Sequence, residues 1–335
     1  MSFGMTNAPA TFMTLMIGIL RPFPDDFVVV NLDDILIYSR TAEEHTTQLK
    51  KVLSVLRENQ LYAKLSKCNF AKTEVSFSGH MVGARGIHME PGKMDVIRKW
   101  PRPTNPTEVR SFLGLVSFYR RYILRHSFIT APLTDLTVKG IIFKWELRHE
   151  VAFIGLKAAL TFAPVILTPN PYGDFGVTTD ASSYAIGAVL QQEHEGELRP
   201  VAFESRKLSP AEQGYATHEL ETLAIIHSLR QWRCYLLGRK VVVYTDHMSL
   251  KYLMTQPNTS HQDRSDGRSL LAAYDMEIRY KPGKENVIAD ALSSRLHARQ
   301  AEGRGLGRPG WGRRLHQQTV RPSRVSLFGP QRPGL

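Results

Sequence analysis

Cysteine and long apolar runs are both scarce in this chain of 335 residues. Cys68 and Cys234 are its only cysteines and lie far apart, so neither a disulfide framework nor a cysteine-based zinc site is available. No apolar run approaches the ~20 residues of a transmembrane helix, and the first residues do not resemble a secretory signal. These absences predict a reduced, intracellular protein with no membrane partner, in the cytoplasm or the nucleus.

Acidic side chains are almost missing from the last part of the chain. Residues 299–335 hold eight Arg and a single Glu, which accounts for most of the net charge of +12. Gly, Arg and Pro dominate from residue 300 onward without a period, and this composition predicts a disordered tail. The remainder is mildly basic, which suits a polyanion-binding protein and equally an ordinary surface.

Apolar residues make up 42% of the chain, enough for a real core, and the length suggests two or three domains. Proline-rich segments near residues 101–106 and 164–173 divide it. Before the first segment, residues 27–38 predict two buried strands joined by a tight turn at Asp33 and Asp34. The chain therefore places two carboxylates inside a segment built to be buried.

Three further patterns complete the first half. Thr41 and Glu44 have the spacing of a capping box and predict a helix start. Residues 74–89, with three glycines, predict a hairpin. Apolar residues at helical spacing between 109 and 119 predict a helix. Basic side chains beside that helix could approach a phosphate backbone or form a solvated face; they are Arg110, Arg120 and Arg121.

Beyond residue 174 the pattern predicts a mixed sheet with helices packed on it, an α/β or α+β fold. The predicted strands are 175–180, 185–192, 199–205, 241–246 and 276–280. The predicted helices are 217–236, a short one at 249–254, and 286–294.

Four acids in this half lie where acids are poorly tolerated for structure alone. Asp180 and Asp246 end strands, whereas Glu221 and Asp290 lie on helices near apolar residues. Acids from strand ends and from packed helices can converge, and such a cluster repels itself unless cations bind it. Mg²⁺ is the usual choice, and two ions would suit phosphodiester hydrolysis. Each acid also has an ordinary explanation: a turn, a helix-end charge or partial exposure.

The motifs themselves resemble a known family. In order along the chain the sequence contains FGMTNAPATF, NLDDILIYS, RSFLGLVSFYRRYI, TDASSYAIGAVL, YTDHMSLKYL and YKPGKENVIADALSS. These segments are similar to the polymerase polyprotein of gypsy-type LTR retrotransposons, over about residues 2–295. In that family a reverse transcriptase precedes a ribonuclease H domain.

The resemblance implies a fold and a division of the chain. We expect a partial reverse-transcriptase palm, then a thumb and connection, then an RNase H-like mixed five-stranded sheet with flanking helices. The implied domains are a truncated palm at 1–90, a thumb- or connection-like helical region at 91–165, an RNase H-like domain at 170–296 and a disordered tail at 297–335.

It also implies sites and partners. Asp180, Glu221, Asp246 and Asp290 match the family's RNase H metal ligands, for two Mg²⁺ ions or Mn²⁺. Glu221 is favoured over Glu219 because the family's ligand precedes a Thr-Leu-Ala-Ile-like segment. The implied reaction is hydrolysis of the RNA strand of an RNA–DNA hybrid, and the implied partners are that hybrid and a template-primer.

Asp33 and Asp34 resemble the family's Tyr-x-Asp-Asp polymerase motif, whose aspartates bind Mg²⁺; without the resemblance an exposed hairpin turn is the simpler explanation. The family's third aspartate would precede residue 3, Asn31 replaces the motif's Tyr, and Ser78 replaces a Leu. We therefore expect that the chain alone does not polymerise DNA, unless a homodimer or a partner chain supplies the missing elements.

One departure affects the second half. The family's Arg-Trp pair falls where Asp266 and Gly267 stand, which would remove core packing. Two hypotheses follow: a hybrid-dependent ribonuclease, and a non-catalytic remnant that binds nucleic acid through its thumb-like helix and basic tail. A zinc protein built on histidine fits poorly, because His218 and His227 lack zinc-motif spacing.

Overall fold

The computed structural model of the chain describes residues 7–23, 27–170, 172–252, 270–282 and 321–328; for 251–252 and 321–328 it describes the backbone alone. The chain forms two compact units, Met1–Lys93 with Arg308–Leu335 and Met94–Gly307. Within the described residues, no helix is long and apolar enough to cross a membrane.

The first unit holds two sheets and two helices. One sheet has the strand order β1-β2-β12-β3, and the other is antiparallel with the order β4-β5-β6. The elements are α1 (Ala8–Leu20), β1 (Val28–Asn31), β2 (Asp34–Ser39), α2 (Ala42–Glu58), β3 (Tyr62–Ala63), β4 (Glu74–Phe77), β5 (His80–Gly83), β6 (Gly86–Met89), α3 (Pro91–Arg98, which reaches into the second unit) and β12 (Arg321–Phe328).

The hairpin of β1 and β2 confirms the predicted pair of strands but moves its turn. Asn31 pairs with Asp34, so the two turn residues are Leu32 and Asp33 rather than the two aspartates. Leu32 has a positive φ of 53°, as a two-residue hairpin turn requires. Both aspartates are half-buried at the hairpin tip, not inside the core. The prediction of a buried carboxylate pair is therefore wrong.

Helix α2 starts as predicted. The Thr41 side chain accepts a hydrogen bond from the Glu44 backbone N–H, and the Glu44 carboxylate accepts one from the Thr41 N–H. Val52 and Leu56 on this helix are buried against α1 and β2. The predicted two-stranded hairpin at 74–89 is instead a three-stranded meander, because a second tight turn follows Gly83.

Strand β12 corrects the prediction of a tail without regular structure. Its backbone pairs antiparallel with all of β2, with Val325 opposite Ile35, and it continues antiparallel to β3. Because β2 is a buried apolar strand, its second edge would otherwise present unpaired backbone groups. The remaining tail residues lie outside the described part.

The second unit starts with helices. They are α4 (Pro106–Phe118), α5 (His126–Asp135) and α6 (Leu147–Thr161). Asn105 caps α4, accepting a hydrogen bond from the Glu108 N–H at 2.9 Å, and Pro106 opens it. Phe112 of α4 packs on Phe153 of α6 with ring centroids 4.7 Å apart, so the helices share one aromatic core.

The five-stranded mixed sheet is present, as predicted. Its order is β11-β10-β7-β8-β9, in which β7, β8 and β9 are antiparallel neighbours and β10 runs parallel to β7 and β11. Its elements are β7 (Phe175–Ala181), β8 (Ala185–His194), β9 (Glu197–Lys207), α7 (Thr217–Gln231), α8 (Arg233–Leu236), β10 (Lys240–Thr245), a 3-10 helix (Met248–Tyr252) and β11 (Asp275–Tyr280).

The helix predicted over 217–236 is interrupted at Trp232, between α7 and α8. Apolar residues of α7 cover the sheet, and Ile225 and Leu229 are fully buried in the core with Val177 and Val243. The helix predicted at 286–294 lies outside the described residues, as do Asp266 and Gly267.

Candidate active site

Asp180 and Asp246 lie side by side at the carboxyl ends of two neighbouring inner strands of the five-stranded sheet, β7 and β10. Strands β7 and β10 are parallel, and Thr178 pairs with Tyr244. Asp180 lies two residues after Thr178 within β7, and Asp246 lies two residues after Tyr244, immediately beyond the end of β10. The register therefore brings both carboxylates to the same level. Carboxyl ends of parallel strands commonly form sites in this way.

Glu221 joins them from helix α7. The three carboxylates each offer an oxygen, and these atoms all lie within 4.8 Å of one another. The Ala181 backbone N–H donates a hydrogen bond of 3.1 Å to Oε1 of Glu221, which holds the helix side chain against the end of β7. Glu219, the other candidate on this helix, accepts a hydrogen bond from the Ala216 N–H and so serves its first turn.

Burial makes this cluster electrostatically costly. Asp180 and Glu221 are both 3% exposed, whereas Asp246 is more open to solvent. Loss of solvation, followed by repulsion from Glu221 and Asp246, raises the pKa of Asp180 to about 8. Loss of solvation and the Asp246 charge likewise raise the pKa of Glu221 to about 8. Without a cation, burial and mutual repulsion favour protonation of these carboxyl groups.

The donor set fits a hard divalent cation. Oε2 of Glu221 is buried and has no hydrogen-bond partner among the described residues. Three carboxylates with an unpaired buried oxygen match the oxygen ligands that Mg²⁺ prefers. Asp290, the fourth predicted ligand, lies outside the described residues.

Asp33 and Asp34 belong to the other unit, at the tip of the β1–β2 hairpin. Among the described residues the structure gathers three potential ligands at Asp180, Glu221 and Asp246, and it brings no third one to the hairpin. Behind the tip, Nδ2 of Asn31 donates a hydrogen bond of 2.7 Å to Oγ of Ser78, in the turn between β4 and β5.

Two of the basic side chains predicted beside α4, Arg110 and Arg120, are exposed, as a solvated face requires, and both also have partners within the protein. The Arg110 guanidinium donates a hydrogen bond of 2.9 Å to the Thr137 carbonyl. Arg120 forms an ion pair of 3.6 Å with Glu204, a buried residue of β9. His227 of α7 contacts the same carboxylate at 3.6 Å. Sequence pattern alone does not identify Glu204, because it stands among the polar residues at the end of β9.

Comparison with known proteins identifies both halves. A family model described as the RNase H-like domain found in reverse transcriptase matches residues 170–274. A second, described as reverse transcriptase (RNA-dependent DNA polymerase), matches residues 1–82.

Among curated relatives, a Pol polyprotein from transposon opus of Drosophila melanogaster is 38% identical over 304 residues, covering 87% of this chain and 30% of the relative. The transposon Tf2-3 polyprotein of Schizosaccharomyces pombe is 35% identical over 297 residues, covering 88% and 22%. The chain therefore spans less than a third of the length of these relatives.

Solved structures share the fold. A foamy viral protease-reverse transcriptase in complex with an RNA/DNA hybrid superposes with a TM-score of 0.76 at 23% identity, covering 92% of this chain and 42% of that one. The same viral enzyme with double-stranded DNA gives 0.72 at 24% identity, covering 84% and 60%. With a reverse transcriptase domain followed by an RNase H-like domain, the chain belongs to the Pol polyproteins of retrotransposons.

Proposed function

We propose that the second unit is a divalent-cation-dependent ribonuclease that hydrolyses the RNA strand of RNA–DNA hybrids. The cluster of Asp180, Glu221 and Asp246 carries this proposal, because its ligand oxygens converge within 4.8 Å at a sheet edge. Asp290 is proposed as the fourth ligand. We also propose that the polyprotein is of the gypsy type, on the motifs quoted above.

These residues would hold Mg²⁺, and Mn²⁺ also suits oxygen ligands. The bound cations would activate water and stabilise charge on a phosphodiester. Burial raises the pKa values of Asp180 and Glu221 and so opposes their ionisation in the absence of a cation. A bound cation would favour the ionised carboxylates. The Ala181 N–H fixes Glu221, so one ligand is oriented before binding.

For the first unit we propose a supporting role. The Asp33–Asp34 hairpin would supply two carboxylates of a polymerase Mg²⁺ site, with template-primer as its partner. The remaining ligand would come from another segment or a partner chain.

The test is a cleavage assay on the purified chain with an RNA–DNA hybrid labelled in the RNA. We expect cutting with Mg²⁺, none with EDTA, and an intact DNA strand. Asp180→Asn should lower the rate by about 100-fold or more, because the ligand charge is lost. Asp174→Asn is the matched control, since Asp174 is exposed just before β7.

Equal cleavage by the Asp180→Asn and wild-type proteins would overturn the proposal. Salt-sensitive hybrid binding without any cleavage would favour the non-catalytic remnant instead.

A further inference from the structure

Arg125 occupies an unusual backbone conformation beside the carboxylate cluster. It precedes helix α5 in the left-handed region, with φ 60° and ψ 32°, and its side chain does not cap the helix. Left-handed backbone is costly for a long side chain and is favoured by Gly and Asn. Strained residues of this kind concentrate at functional positions, so the surroundings of the Arg125 side chain are a candidate binding region.

Two hydrogen bonds made by Ser127 hold the chain just after Arg125 next to the sheet. The Ser127 N–H donates to Oγ of Ser205 at 2.8 Å, and the Ser127 hydroxyl donates to the Ser205 carbonyl at 2.7 Å. Ser205 lies on β9, so the start of α5 is tied to the strand beside β8. The Arg120–Glu204 ion pair anchors the preceding turn to the same strand.

The Arg125 side chain lines a small cleft that adjoins Asp180. Ser182 and Gly187 also line this cleft. Gly187 is the residue of β8 that pairs directly with Asp180 of β7, and Ser182 follows Asp180 by two residues. A guanidinium therefore lies in the immediate surroundings of the carboxylate cluster, contributed by the helical region rather than by the RNase H-like domain.

The guanidinium is held by an aromatic ring but has no anionic partner within the described part of the chain. Its Cζ lies 4.3 Å from the centre of the Phe128 ring. Its Nε is buried and forms no hydrogen bond there. Arg125 forms none of the arginine ion pairs found among described residues, although its charge partly offsets the rise in the pKa of Asp180. An arginine serving only as a counter-charge would be expected to contact that carboxylate.

A row of rings and cations extends away from Arg125. Phe128 meets Tyr184 edge-on, with ring centroids 6.2 Å apart. Nζ of Lys207 lies 5.0 Å from the centre of the Tyr184 ring. Cations alternating with aromatic rings are typical of surfaces that follow a nucleic-acid backbone.

We propose that Arg125 binds a backbone phosphate of the RNA–DNA hybrid and so positions the substrate against the carboxylate cluster. The planar guanidinium can donate two parallel hydrogen bonds to one phosphate, which suits a fixed register. Lys207 lies along the same row, but its Nζ is 3.7 Å from the Asp135 carboxylate and already forms an ion pair with it, so Arg125 carries the proposal. The inference rests on the proposed ribonuclease function for the identity of the substrate.

The first measurement is hybrid affinity in EDTA over a range of salt concentrations. Arg125→Asn removes the charge but tolerates the left-handed backbone, so the fold should be kept. We expect about 10-fold weaker binding and a salt slope smaller by about one, as for the loss of one phosphate contact. Arg125→Lys should fall between the wild type and Arg125→Asn. Arg148→Asn, an exposed arginine of α6, is the matched control and should change neither value.

The second measurement is Mg²⁺-dependent cleavage, where Arg125→Asn should raise KM more than it lowers kcat. Unchanged affinity and salt slope in Arg125→Asn would overturn the inference even if the wild type cleaves hybrid normally. Weakened binding by Arg125→Asn, in a chain that never cleaves, would uphold the phosphate contact and reject the ribonuclease proposal.

Discussion

Asn31 and Ser78 are bonded to each other, with Nδ2 of Asn31 2.7 Å from Oγ of Ser78. Each replaces a larger residue of the gypsy-type pattern, Tyr in the Asp-Asp motif and Leu in the turn between β4 and β5. The two departures therefore meet in space and form one polar contact between two hairpins. Ser78 has a positive φ of 50°, and a small polar residue suits that turn position.

We expect the Asn31 and Ser78 side chains to be energetically coupled. Asn31→Ala and Ser78→Ala should each destabilise the hairpin pair by about 0.5–1 kcal/mol, and the double variant should lose less than their sum. Hydrogen exchange of the β1–β2 and β4–β5 amides provides the measurement. Asn31→Ala with Thr47→Ala is the control pair, because the Thr47 hydroxyl donates to the Glu43 carbonyl within α2. Strict additivity for Asn31 and Ser78 would contradict the coupling.

The stability of the second unit should depend on pH through Asp180 and Glu221. Their pKa values in the folded protein, about 8, exceed the unfolded values, so the folded state holds protons that the unfolded state has released. Stability should therefore fall as pH rises from about 6.5 through 8. The measurement should stay above pH 6.5. Burial lowers the pKa of His126 to about 4, so below that pH the unfolded state binds a proton that the folded state does not, and stability rises with pH instead.

Mg²⁺ should reverse this loss. Thermal unfolding should show a larger rise in Tm with Mg²⁺ at pH 8 than at pH 6.5, since cations compete with protons for the carboxylates. Asp180→Asn should remove about half of the pH dependence, because Glu221 keeps its raised pKa, and most of the Mg²⁺ effect. Asp174→Asn should keep both. A Tm insensitive to Mg²⁺ at pH 8 would argue against a cation site here.

Removing strand β12 should open the sheet of the first unit. Deletion of residues 308–335 should raise hydrogen exchange in the β2 amides that face β12, and increase self-association through the exposed edge. Deletion of 329–335 alone is the control, because β12 is retained. Unchanged exchange in β2 after the larger deletion would show that this pairing adds no protection.

The sequence was most informative where local pattern determines structure. Turn residues, apolar alternation and a capping box predict most strands and four of the helices, whereas α1, α3, α5 and α6 were not predicted individually. Parallel strand ends explain why Asp180 and Asp246 meet. Arg125 and Glu204 were not identified, because their roles depend on contacts between segments far apart in the chain. Strand β12 was missed because the Arg, Gly and Pro around it dominate the composition, and its order depends on β2.

The pairing of β2 with β12 also sets an order of events during translation. Every residue of the second unit up to residue 307 is synthesised before β12. The ribonuclease-like sheet can therefore form while the sheet behind the Asp33–Asp34 hairpin is still incomplete. The first unit cannot complete its sheet until this late strand has been synthesised, and such long-range pairing is slow to form. Until then, the edge of β2 that later pairs with β12 is exposed and can pair with a strand of another chain.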